Sequence, residues 1–135
     1  MAYGGLYNTA ASTLNVEANT PSQLALPSTM PSLDVTYGTN TITLADEGDY
    51  EIHYAIAASA PAGTTLTLAV RQGGTNIPQA TTVRALIADT STSFAGTTIV
   101  TLPAGTVLDV AVSTPTPATV TIGSGAALTV KKLDA

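Results

Sequence analysis

A chain of 135 residues carrying nine acidic side chains, four basic ones and a net charge of −5 fits one domain and little more. The lack of cysteine excludes a disulfide scaffold, Cys-ligated zinc and thiol chemistry. Four Lys and Arg residues make no basic footprint for nucleic acid, and no run of about 18 apolar residues is present to span a membrane.

The first ten residues, MAYGGLYNTA, have neither the basic start nor the apolar stretch of a signal peptide. Charged residues make up only 10% of the chain, against about 25% in a typical globular protein. Small residues take their place, with 25 Thr and 22 Ala. Thr, Val and Ile together number 42, and these suit the pleated, half-buried surface of a sheet.

Along the chain, Gly5-Leu6-Tyr7 and Leu14-Asn15-Val16 read as short or edge strands, and Pro21, Pro27 and Pro31 then interrupt residues 20–32. From there a period of two takes over. Ile42 and Leu44 alternate with Thr41 and Thr43. Tyr50, Ile52, Tyr54 and Ile56 alternate with Glu51, His53, Ala55 and Ala57. The same pattern returns at Leu66, Leu68 and Val70, at Leu108, Val110 and Val112, and at Val120 and Ile122.

Turn residues separate these runs at Gly38-Thr39-Asn40, Asp46-Glu47-Gly48-Asp49, Pro61-Ala62-Gly63, Gly73-Gly74, Pro103-Ala104-Gly105, Pro115-Thr116-Pro117 and Gly123-Ser124-Gly125. No window shows a sustained helical period. The pattern predicts a single all-β domain over residues 1–135, an antiparallel β-sandwich or jelly roll.

Several strands are apolar on both faces, as in Tyr54-Ala55-Ile56-Ala57-Ala58, Val110-Ala111-Val112 and Gly125-Ala126-Ala127-Leu128. Runs of this kind imply cover on both sides, and another subunit is one source of it. Exposed alanines of a monomeric sandwich are the other.

Chemically active constellations are few. Asp46, Glu47 and Asp49 form an acidic turn that could begin a hard-cation site, but it lacks the spacing of an EF-hand loop. The plainer reading is a solvated acidic turn that blunts aggregation. Glu51 and His53 lie two residues apart on one strand face, without a nucleophile or oxyanion cradle beside them, so no catalytic residue, cofactor or enzymatic role is expected. If that face meets a subunit axis, copies of His53 gather there and acid weakens the assembly. Residues 1–70 hold six acids and no Lys or Arg. This asymmetry either pairs strands distant in sequence or reflects scattered surface charge.

Five segments carry a resemblance in their order along the chain. They are residues 2–8 (AYGGLYN), 30–38 (MPSLDVTYG), 48–52 (GDYEI), 102–108 (LPAGTVL) and 128–133 (LTVKKL). Together they resemble the C-terminal globular domain of BclA-type collagen-like spore-surface glycoproteins, within the C1q/TNF-like jelly rolls, and segment 30–38 is similar to the clostridial members. Thr106 stands where that family commonly has Asp or Glu in its turn between late strands.

The resemblance implies about ten strands, a compact homotrimer, and a head that registers three chains of an upstream collagen-like triple helix on the exosporium. It also implies that the chain is a C-terminal piece of a longer protein, because the family's Gly-X-Thr stretch is not in it. In the family, the sheet holding the first and last strands faces the threefold axis. That points to Tyr3, Leu6 and Tyr7 at the interface, with the face of His53, Ala55 and Ala57 as the second candidate. The competing reading is an adhesion module for a host protein or glycan. One Phe and no Trp leave little aromatic platform for sugars.

Overall fold

The computed structural model describes residues 2–133. These contain thirteen strands and no helix: β1 (Tyr3–Tyr7), β2 (Ser12–Val16), β3 (Ser22–Gln23), β4 (Ser28–Thr29), β5 (Val35–Gly38), β6 (Thr41–Leu44), β7 (Gly48–Ser59), β8 (Thr64–Gln72), β9 (Thr75–Leu86), β10 (Thr92–Leu102), β11 (Val107–Ser113), β12 (Ala118–Ile122) and β13 (Ala127–Lys132).

All strand pairs are antiparallel, and they form two sheets of seven and six strands. In the seven-stranded sheet β10 runs along one whole edge of β7, while β13 and β12 divide the other edge between them. Beyond β13 come β1 and then β4, and β2 lies outside β12. The six-stranded sheet runs β5-β6-β11-β8-β9, with β3 added alongside β11.

Strand parity decides what is inside. Tyr50, Ile52, Tyr54, Ile56 and Ala58 turn one face of β7 into the core, where Leu6, Leu128 and Val130 join them. Leu66, Leu68 and Val70 of β8 and Leu108, Val110 and Val112 of β11 close it from the other sheet. The period of two thus sorts the bulky residues to one side, because successive side chains of a strand point to opposite faces. Each turn expected from Gly or Pro is a connection here. Gly73 and Gly74 form a two-residue hairpin with φ of 57° and 84°, the left-handed geometry such a tight reversal needs. In the turn before β11, the Thr106 hydroxyl donates to the Pro103 carbonyl at 2.7 Å.

The structure departs from the sequence expectations in four places. Three strands beyond the expected ten or so are found, helped by two-residue β3 and β4 in the proline-punctuated stretch. The long strands β9 and β10 escape the alternation pattern. A register shift between Ala69 and Arg71 breaks the parity of β9, whose Pro78 is accommodated because β9 is an edge strand. In β10, Thr, Ala and Gly on both faces blur the contrast. β1 is an internal strand between β13 and β4, since Tyr3 and Leu6 have partners on both sides. Finally, Ala111 is already 3% exposed in the single chain, so the run Val110-Ala111-Val112 needs no second subunit to cover it.

Three polar devices tie the framework together. Asn8, 3% exposed, donates to the Gly123 carbonyl at 3.1 Å and accepts from the Ala126 amide at 2.8 Å, clamping the β12–β13 turn to the end of β1. Tyr54 crosses over its strand partner Gly96 to share a 2.7 Å hydrogen bond with Thr82 of the other sheet. A Cβ at Gly96 would sit 2.7 Å from that phenolic oxygen, so only glycine leaves the ring room. On the outside of the six-stranded sheet, Arg71 grips Asp109 with two parallel hydrogen bonds of 2.8 and 2.7 Å, and Gln23 adds a third at 2.9 Å. The hydrogen bond to Asp109 raises the Arg71 pKa against the opposing effect of burial. Both partners of this pair come from the second half of the chain, so it does not express the charge asymmetry of the sequence.

Candidate functional site

The outer face of the seven-stranded sheet collects most of the residues singled out by the sequence. Strand register arranges them in rows that run across β1, β13, β7 and β10. The first row is Tyr3, Lys131, Glu51 and Ile99, with Leu33 bridged to Tyr3 at its end. The second is Gly5, Thr129, His53 and Thr97. The third is Tyr7, Ala127, Ala55 and Ala95, and beyond it Ala57 pairs with Ser93. The face is therefore graded, with large and charged side chains at one end and alanine and serine at the other.

This arrangement unites the two candidate groups and removes one residue from them. Tyr3, Tyr7, His53, Ala55 and Ala57 share the outer face, whereas Leu6 points to the interior and is 1% exposed. Leu6 is therefore a core residue of the single chain. Its one-residue offset from Tyr7 puts it on the opposite side of the pleat.

Glu51 and His53 do lie on one face, but the imidazole Nδ1 of His53 is bonded to Thr97 Oγ1 at 2.7 Å. In the acidic turn, the Asp46 backbone carbonyl accepts from Tyr50 at 2.6 Å and the Asp49 carboxylate accepts from Thr101 at 2.5 Å. Among the described residues no three His, Asp or Glu side chains gather as a metal site.

At the bulky end, Tyr3, Met30, Pro31, Glu51, His53 and Lys131 line a groove of about 450 Å³. Met30 lies over Gly5, where a Cβ would collide with its sulfur. The sequence carried no signal for this groove, which forms only when the segment after β4 folds over β1. Two apolar residues stand out of the face, Tyr3 at 39% exposure and Ile99 at 58%. Ile99 sits on β10, an edge strand of this sheet. Among the described residues, Lys131 has no ion pair although Glu51 is its strand partner.

Among solved structures, murine APRIL at pH 5.0 matches with a TM-score of 0.66 and 13% identity, covering 98% of both chains. Eiger TNF from S. frugiperda matches with a TM-score of 0.66 and 12% identity, over 98% of this chain and 92% of its own. The globular domain of zebrafish complement 1qA protein matches with a TM-score of 0.62 and 11% identity, over 99% and 98%. At such identities the likeness shows the fold, which is the TNF/C1q-like jelly roll. Comparison with curated protein sequences finds no significant match. The sequence family described as the BclA C-terminal domain matches residues 4–134, from the first strand through the last. The chain belongs to the BclA C-terminal domain family.

Proposed function

We propose that the chain is a structural head that assembles three copies through the outer face of its seven-stranded sheet. It would register an attached collagen-like triple helix and present the remaining surface at the spore exterior. The observation that carries this reading is the composition of that face. Across four strands it offers Ala55, Ala57, Ala95 and Ala127 in adjoining rows, then exposed Tyr3 and Ile99, with Glu51 and Lys131 as its charges in those rows. Small side chains let a second sheet approach closely, and burying the two large apolar ones supplies a hydrophobic contribution.

Family membership and the TNF/C1q-like fold support the same reading. Light scattering at micromolar concentration is expected to give about 40 kDa, three times the 13.5 kDa chain, and a 13.5 kDa species overturns it. Fusion behind Gly-X-Thr repeats is expected to raise the melting temperature of the resulting triple helix above that of the repeats alone.

A second reading, recognition of a host protein, draws on Val83 at 59% and Ile87 at 70% exposure, on and just after edge strand β9. Their replacement by Ser would abolish cell binding if that reading holds and leave it unchanged if it does not.

A further inference from the structure

We propose that Ile99 of one copy enters the groove beside Tyr3 of the next, making a head-to-tail contact that closes the ring. This rests on the trimeric reading and goes beyond it by naming the contact. An odd-numbered ring requires two different patches on each copy, one of which receives the other.

The outer face supplies such a pair at its two ends. One is a projection, Ile99, 58% exposed and flanked by Thr97 and Thr101 on an edge strand. The other is a concavity of about 450 Å³ lined by Tyr3, Met30 and Pro31 together with Glu51, His53 and Lys131, with Leu33 at 46% exposure beside Tyr3. The row that joins them is polarised. Lys131 stands next to Tyr3 at the concave end, and Glu51 stands next to Ile99 at the projecting end. Head-to-tail docking therefore brings the acid of one copy to a groove that Lys131 of the next lines together with its own Glu51, and among the described residues Lys131 has no ion pair. Turning one copy round, so that two projections meet, would oppose Glu51 to Glu51 and leave both grooves empty.

The cysteine-free chain makes a direct test clean. Ile99 and Tyr3 are three strand steps apart in one copy, about 14 Å at roughly 4.8 Å per step, beyond the ~7 Å Cα limit of a disulfide. A bond between cysteines at these positions must therefore join two copies. The double variant I99C/Y3C, oxidised, is expected to run as a covalent trimer on a denaturing gel without reductant. A mixture of the two single variants should give dimers, and neither alone should cross-link.

A wild-type trimer by light scattering with no cross-link in I99C/Y3C overturns the contact while sparing the trimer. Dimers from I99C alone overturn it as well, and a wild-type monomer removes both readings. A second arm guards against a disturbed double variant. Ile99→Arg is expected to weaken trimer association at least tenfold, while Val83→Arg, equally exposed on β9, leaves it unchanged. Equal effects from the two substitutions count against the proposal.

Discussion

The imidazole of His53 and the hydroxyl of Thr97, directly opposite one another on β7 and β10, share a 2.7 Å hydrogen bond on the exposed face of the seven-stranded sheet. A hydroxyl can accept from an imidazolium as readily as it donates to a neutral ring. The bond therefore does not depend on which partner donates, and a positive charge placed here acts through its neighbours. Facing His53 are Glu51 on its own strand and, from the neighbours, Thr129 and Lys131 of β13 and Tyr3 of β1. Only Glu51 among them offsets a positive charge.

In the proposed trimer the His53 copies approach one another. Two unit charges about 4 Å apart in water repel by about 1 kcal/mol, roughly fivefold in an association constant. His53→Lys, which places a fixed positive charge at this position, is expected to weaken the trimer several-fold in sedimentation, with His53→Gln leaving it unchanged. An unchanged association constant in His53→Lys would place His53 away from the axis.

Asn8 should be the most sensitive polar position. Asn8→Ala leaves the Ala126 amide, in a residue 1% exposed, without its acceptor. The expected cost is about 1–3 kcal/mol, the penalty for an unmade bond at a buried group. Asn8→Asp keeps the acceptor but turns a carboxylate oxygen toward the Gly123 carbonyl, so it should be no better near neutrality and should improve on acidification, when the protonated acid can donate. Urea midpoints across pH check both.

The Arg71–Asp109 fork predicts a smaller effect. Asp109→Ala removes both acceptors from a guanidinium that is only 15% exposed and also frees Gln23. Residual solvent access screens the pair, so a loss of about 1–2 kcal/mol is expected, seen as a lower urea midpoint at constant m-value. The raised Arg71 pKa contributes stability that is complete below the unfolded value and is lost only as pH rises through the folded one. This contribution is therefore flat across the neutral range.

At the Tyr54–Gly96 crossing, Gly96→Val should destabilise by about 1–3 kcal/mol, the range of overpacked cores, because its Cβ collides with the Tyr54 ring. Tyr54→Phe removes only the hydroxyl that meets Thr82 and should cost about 1 kcal/mol. If thermal melts rank Tyr54→Phe as the more damaging, the hydrogen bond rather than the close approach governs this site.

Much of this molecule was legible in its residues because strand parity is a local property. Tyr50 and Ile52 face inward, and Glu51 and His53 outward, wherever β7 is placed, since adjacent side chains on a pleat must diverge. The turns followed from Gly and Pro for the same local reason. Leu6 was misplaced because the resemblance named the β1 segment without its parity, and the register against β13 had to supply it.

The rows themselves, Tyr3 beside Lys131 beside Glu51 beside Ile99, join positions up to 128 residues apart through strand pairing alone. The groove over Gly5, the Asn8 clamp and the Arg71–Asp109 fork arise in the same way, from segments that meet only once the sheets have closed. Composition and period determined that this chain builds a sandwich with one face rich in small residues. The order in which the strands lie side by side decided which residues stand together on that face, because chain spacing does not encode the partner of an edge.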